Sequence, residues 1–219
     1  MTIAENLRAV RAQLPASVKL VAVSKTYPPE AVLAAFEAGQ RCFGESRVQE
    51  LSAKQRLYPG LEWHFIGHLQ TNKVKQIVPF VSLIHSVDSC RLLDEINTQA
   101  LKAGRVVDCL LQAYIASEET KFGLDAGEMD LLLARCSAGE FPGVRICGLM
   151  GMASNTPQSE GVRREFRTLR AIFDEGKQKY YVDKSYFCEV SMGMSSDYSI
   201  AVEEGSTMVR IGSAIFGHR

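Results

Sequence analysis

The chain has 219 residues, enough for one large domain or two small ones. Its 25 basic and 25 acidic residues cancel, which removes the electrostatic reason to expect nucleic acid or an anionic membrane as a partner. With 46% hydrophobic residues there is ample side chain to bury, so disorder is excluded, and no apolar run approaches the ~18 residues of a membrane span.

The N-terminus lacks a basic start followed by an apolar core, so no secretory signal is expected. Ile3, Leu7, Val10 and Leu14 recur at spacings of three and four, which predicts a helix stopped by Pro15. Val18 to Val23 is short and β-branched and reads as a strand. Pro28-Pro29-Glu30 opens a helix from about Ala31 to Ala38, closed by Gly39. Three more strand–helix pairs follow. They are Arg41–Gly44 with Val48–Leu57, Glu62–Ile66 with Asn72–Val78, and Ser82–Val87 with Cys90–Ala103. The second half repeats the cycle. Val106–Ile115 leads through a polar loop to helical Glu128–Ser137, and Val144–Met150 leads to a long amphipathic helix, Gly161–Gln178. Ser185–Val190 leads to a short helix, Tyr198–Glu204, and Thr207–Ile211 is an eighth strand.

Eight strands alternating with helices after an extra N-terminal helix predict an α/β protein, a single (β/α)8 TIM barrel spanning 1–219. An open doubly wound sheet is the rival. It normally uses fewer strands, and its G-x-G-x-x-G fingerprint is missing. Six cysteines at 42, 90, 109, 136, 147 and 188 form no C-x-x-C pair, so buried free thiols in a reducing cytoplasm are expected.

Barrel enzymes and binding proteins work at the C-terminal ends of the strands. Lys25 follows the first strand directly. A lysine at a barrel mouth is expected to be partly desolvated, which lowers its amine pKa and lets it attack an aldehyde. Its bland alternative is an idle surface lysine. The loops after strands seven and eight, Ser195-Ser196-Asp197 and Gly212-Ser213, suit a phosphate held by backbone N–H groups, or else plain helix capping. A lysine and a phosphate cradle on one face suggest a phosphorylated aldehyde, pyridoxal 5′-phosphate (PLP). His64 and His68 flank Gly67 at a strand end, a poor metal geometry, and no metal site is expected. Phe122, Met150, Met152, Met192 and Met194 are candidates for apolar walls around a ring, or for core. Glu118-Glu119 reads as a solvated loop.

In order along the chain, Val21–Thr26, Phe43–Glu50, Trp63–Lys73, His85–Asp88, Glu119–Gly123, Gly148–Met152, Ser191–Asp197 and Val209–Gly217 resemble the pyridoxal phosphate homeostasis protein family, relatives of the alanine racemase barrel. The likeness implies that Lys25 carries PLP as a Schiff base and that Ser195, Gly212 and Ser213 hold its phosphate. It also implies that Arg210 faces the pyridine nitrogen, the alternative being a structural ion pair. Ser46, His64 and Met192 complete the expected cofactor site. Ser46 and Ala113-Tyr114 depart from the family's usual Asn and Val-Asn. The implied role is buffering or delivery of PLP, with no residue assigned to catalysis, transient apoenzyme partners and a monomeric state. A PLP-dependent amino-acid racemase is the alternative, and a barrel that only contacts proteins is a third reading.

Overall fold

In the computed structural model, which describes residues 2–117 and 122–217, the short β-branched runs are strands and the three–four periodic runs are helices. In chain order they are α1 (Ile3–Gln13), β1 (Lys19–Val23), α2 (Pro29–Glu37), β2 (Cys42–Glu45), α3 (Val48–Leu57), β3 (Glu62–Phe65), α4 (Val74–Ile77), β4 (Leu83–Val87) and α5 (Cys90–Lys102). There follow β5 (Val107–Gln112), α6 (Ala126–Ser137), β6 (Val144–Met150), α7 (Ser159–Tyr180), β7 (Glu189–Ser191), α8 (Tyr198–Glu203), β8 (Met208–Ile211) and α9 (Ser213–Phe216). The strands pair in parallel in sequence order, and β8 closes on β1, giving a (β/α)8 TIM barrel.

Strand alternation sorts the side chains into two cores. Val21, Cys42, Leu83, Leu110, Cys147, Met150 and Met208 fill the barrel interior. Their strand neighbours Leu20, Ala22, Phe43, Ile84, Cys109, Leu111, Leu149 and Val209 face the helices in a second, larger cluster. The helices meet that cluster with one stripe each. On α7 it is Val162, Phe166, Leu169, Phe173 and Gly176, spaced by three and four. The extra helix α1 begins with a Thr2–Glu5 capping box and is tied to α9 by Asn6, whose side chain donates to the Ile215 carbonyl at 2.9 Å.

Three local expectations are corrected. The strand expected over 185–190 is only Glu189–Ser191, because Phe187 turns off to stack between Phe173 (4.9 Å) and Tyr181 (4.2 Å). The helix expected over 72–78 opens with a 3₁₀ turn, Thr71–Lys73. The chain after β8 forms α9, which the pattern did not announce. All six thiols are free, but only Cys42, Cys109 and Cys147 are buried, and Cys188 is exposed.

Candidate functional site

The C-terminal ends of the strands surround a cavity of about 580 Å³. Inward parity runs from Val21 through Val23 to Lys25, so the lysine reaches the cavity wall. It is exposed there, contrary to the expected desolvation, because the mouth is open to solvent. Ser46, Ser195, Arg210, Gly212 and Ser213 line the same cavity. Of the expected apolar walls, Phe122, Met152 and Met194 are present.

His64 and Met192 are not part of this wall. Met192 follows the inward Ser191 on β7, so alternation turns it outward into the helix-facing cluster. Met150 stays in the barrel interior below the cavity. His64 points inward but sits one layer too low. It is fully buried, hydrogen-bonded to Glu62 and His85, and borders a small cleft at the opposite end of the barrel. There Cys42, Glu62 and His64 bring donor atoms within 4.8 Å of one another. One Glu62 oxygen there already carries the Lys19 ammonium at 2.6 Å and the His64 ring at 2.9 Å, and burial pushes the Cys42 thiol well up, which disfavours the thiolate a cation would take. Ala113 is buried against the helices and Tyr114 lies outside the cavity wall, so the departure stands beside the lining residue Gln112 without entering the wall itself. Glu118, Glu119, Thr120 and Lys121 lie outside the described residues.

The residues flanking Lys25 are each held by a carboxylate. Ser24 faces outward and its hydroxyl donates to Glu45 at 2.7 Å. The Lys54 ammonium donates to Glu45 at 2.6 Å and to the Ser24 carbonyl at 2.7 Å. Burial raises the Glu45 carboxyl against these hydrogen bonds, and its second oxygen has no hydrogen-bond partner among the described residues. Thr26 adopts φ +67°, a conformation that β-branched residues avoid, and its N–H donates to Glu50 at 2.6 Å. The sequence reading did not assign Glu45, Glu50 or Lys54 a role, although Glu45 and Glu50 lie inside a motif that carried the resemblance.

At the other side of the mouth, the Ser195 hydroxyl accepts from the Gly212 and Ala214 amides at 3.2 and 3.4 Å. Asp197 does not cap α8 with its side chain; its carboxylate instead accepts the Met194 N–H at 2.6 Å, closing the Met194–Asp197 turn. Capping of α8 by Asp197 therefore does not explain this loop, whereas Ser195 does satisfy amides at the start of α9. Arg210 is buried and donates to the Ser191 carbonyl (2.8 Å), the Ser191 hydroxyl (2.6 Å) and the Gly151 carbonyl (3.1 Å). Burial lowers its guanidinium to about 10, so it remains charged at neutral pH. Tyr27, Ile66, Gly67, His68 and Gln112 also line the cavity and were not anticipated, although all follow a strand or sit at its end. His68 stacks on Phe122 with ring centroids 5.0 Å apart.

The sequence profile of the alanine racemase N-terminal domain family matches residues 1–219. A pyridoxal phosphate homeostasis protein from Aquifex aeolicus is 42% identical over 92% of this chain and 87% of its own. The chain belongs to the pyridoxal phosphate homeostasis protein family. This family member also resembles the solved structure of PipY from Synechococcus elongatus PCC7942 with PLP bound. That likeness has a TM-score of 0.90 and 39% identity, covering 99% of this chain and all of PipY. The alanine racemase of Streptomyces coelicolor A3(2) gives a TM-score of 0.77 at 20% identity, with this chain spanning 58% of it. That likeness carries the fold alone.

Proposed function

We propose that the chain holds PLP reversibly in the barrel mouth and acts in intracellular PLP homeostasis rather than as a catalyst. The observation that carries this reading is a single cavity joining an exposed lysine, a serine–amide cradle and a buried arginine. When bound, PLP supplies an electrophilic aldehyde carbon, a dianionic phosphate and a pyridine nitrogen.

Lys25 supplies the amine for the aldehyde, and the open mouth admits the water that reverses the link. The Ser195 and Ser213 hydroxyls and the amides at the start of α9 offer donors to a dianion without adding a full positive charge. The Gly212 and Ala214 amides rest on Ser195 at 3.2 and 3.4 Å, long bonds that an anion replaces at little cost. Arg210 has only donors to offer, so a ring nitrogen facing it stays unprotonated. Ser46 adds a hydroxyl to the wall beside Gly67, where any side chain would clash with the Ser46 carbonyl.

PLP-requiring apoenzymes are the expected transient partners. The closed barrel buries its own core, which supports a monomer, and six unpaired thiols support the cytoplasm as its compartment. The test is borohydride reduction of the purified protein, followed by intact mass and peptide mapping. A phosphopyridoxyl group on Lys25, absent from a folded Lys25→Ala variant, is expected. No adduct after adding PLP overturns the reading, and turnover of D- or L-alanine would restore the racemase alternative.

A further inference from the structure

A line of polar side chains runs through the barrel from the end opposite the cavity to the cavity floor. Lys19 Nζ lies 2.6 Å from Glu62 Oε1, and that oxygen lies 2.9 Å from His64 Nε2. His64 Nδ1 is 2.9 Å from His85 Nε2, and His85 Nδ1 is 3.0 Å from the Ser191 hydroxyl. Arg210 Nη1 reaches the same hydroxyl at 2.6 Å. His64, His85 and Ser191 are fully buried, so no water can repair a mismatched link.

The Glu62 end fixes the direction of every bond in the line. A carboxylate only accepts and a guanidinium only donates. The hydrogen bond from His64, with the Lys19 ammonium, holds the Glu62 carboxyl down at about 2, so it is ionised. His64 must then carry its proton on Nε2, which leaves Nδ1 as an acceptor. His85 must therefore also carry its proton on Nε2, and its Nδ1 accepts the Ser191 proton. The Ser191 oxygen is left with lone pairs only, which is what Arg210 needs. Any other tautomer sets two donors or two lone pairs against each other. Cys42 Sγ, 3.5 Å from His64 Nε2, can only be a weak second acceptor of the same proton.

We propose that Glu62 is a positioning residue for Arg210, acting through His64, His85 and Ser191 as one directed hydrogen-bond chain along the barrel axis. The significance of Arg210 for a ligand rests on the proposed function; the chain itself does not. Arg210 also donates to two backbone carbonyls, Ser191 and Gly151. The Ser191 hydroxyl is the one acceptor whose orientation can change, and its orientation is set from Glu62. Burial lowers both histidines, and the charges around them are Glu62 and Lys19 for His64, joined by Glu189 from β7, and Arg210 and Lys19 for His85. Both rings therefore stay neutral at pH 7.

The test uses the full chain without PLP, labelled with nitrogen-15 at histidine and arginine, so that failure of the Lys25 adduct leaves it untouched. Long-range proton–nitrogen spectra at pH 7 are expected to show His64 and His85 both neutral and protonated on Nε2. Either ring on Nδ1, or cationic, overturns the chain; this arm needs no variant. In Glu62→Ala the His85 ring, which does not touch Glu62, is expected to become a mixture of both tautomers, and the separate Arg210 Nη signals are expected to merge. Glu62→Gln keeps an acceptor oxygen beside the Lys19 ammonium and is expected to restore the single form. Ser191→Ala cuts the chain above the rings, so both stay on Nε2 while the Arg210 signals merge. A residue that merely stabilises the barrel would lower the melting temperature without moving the tautomers. A folded Glu62→Ala protein with an unchanged His85 ring or unchanged Arg210 signals overturns the proposal.

Discussion

The Ser195 hydroxyl carries two weak duties at once, bridging the loops after β7 and β8 and presenting an oxygen to the cavity. Removing it together with the Ser213 hydroxyl leaves the backbone amides of the cradle in place. Ser195→Ala with Ser213→Ala is therefore expected to weaken PLP retention by about 1–3 kcal/mol, the scale of one or two charge-assisted hydrogen bonds, without abolishing it. Equilibrium dialysis against PLP measures this, and an unchanged Kd would move the phosphate elsewhere. Single residues differ in how much of their role the sequence discloses. Lys25 is legible because an apolar strand runs straight into it and alternation turns it toward the mouth. His64 has the right parity, but sequence carries no measure of depth along the barrel axis, and it lies a layer below the cavity. Met192 fails on parity, since a three-residue strand offers too short a pattern to tell which face is inward.

At the scale of elements, β2 and α3 act together as a clamp on the turn after β1. Glu45 and Lys54 hold Ser24, and Glu50 holds Thr26 in its positive-φ conformation. Such a conformation costs about 1–3 kcal/mol and persists only where neighbours enforce it. Glu50→Ala removes the acceptor of the Thr26 N–H. The turn is then expected to relax and Lys25 to leave its wall, so that borohydride at limiting PLP traps several-fold less adduct while the melting temperature falls by only a few degrees. Equal trapping in variant and parent would show that the turn holds without Glu50. None of this clamp could be read beforehand, because Ser24, Glu45 and Lys54 come together only when the barrel closes. The strand–helix alternation was legible for the opposite reason, being local. The cavity's location followed from it, and its lining by Ile66 and Gln112 needed only the same parity argument carried one residue further.

Across the whole molecule, the buried histidine pair makes stability depend on pH. Unfolded histidines take up protons near 6.5, whereas burial keeps His64 and His85 neutral to lower pH. Below about 6.5 the unfolded chain thus binds more protons than the folded one, so stability falls as pH falls. Two such groups remove about 1–3 kcal/mol between pH 7.5 and 5.5, roughly 5 °C in melting temperature for a chain of this size. Glu62 adds a second window. Its carboxyl is depressed to about 2, so its contribution is complete above about 4.5 and is lost as pH falls toward 2. Glu45 acts with the opposite sign, because burial raises its carboxyl and the folded chain protonates it more readily. Its effect is common to any pair of proteins that both retain it. Thermal melts of the parent and of His64→Gln with His85→Gln, compared between pH 7.5 and 5.5, therefore isolate the histidines. The variant is expected to start less stable and to change less with pH. Parallel curves would mean that the pair takes up protons in the folded barrel as readily as in the unfolded chain, which the directed chain to Glu62 does not allow.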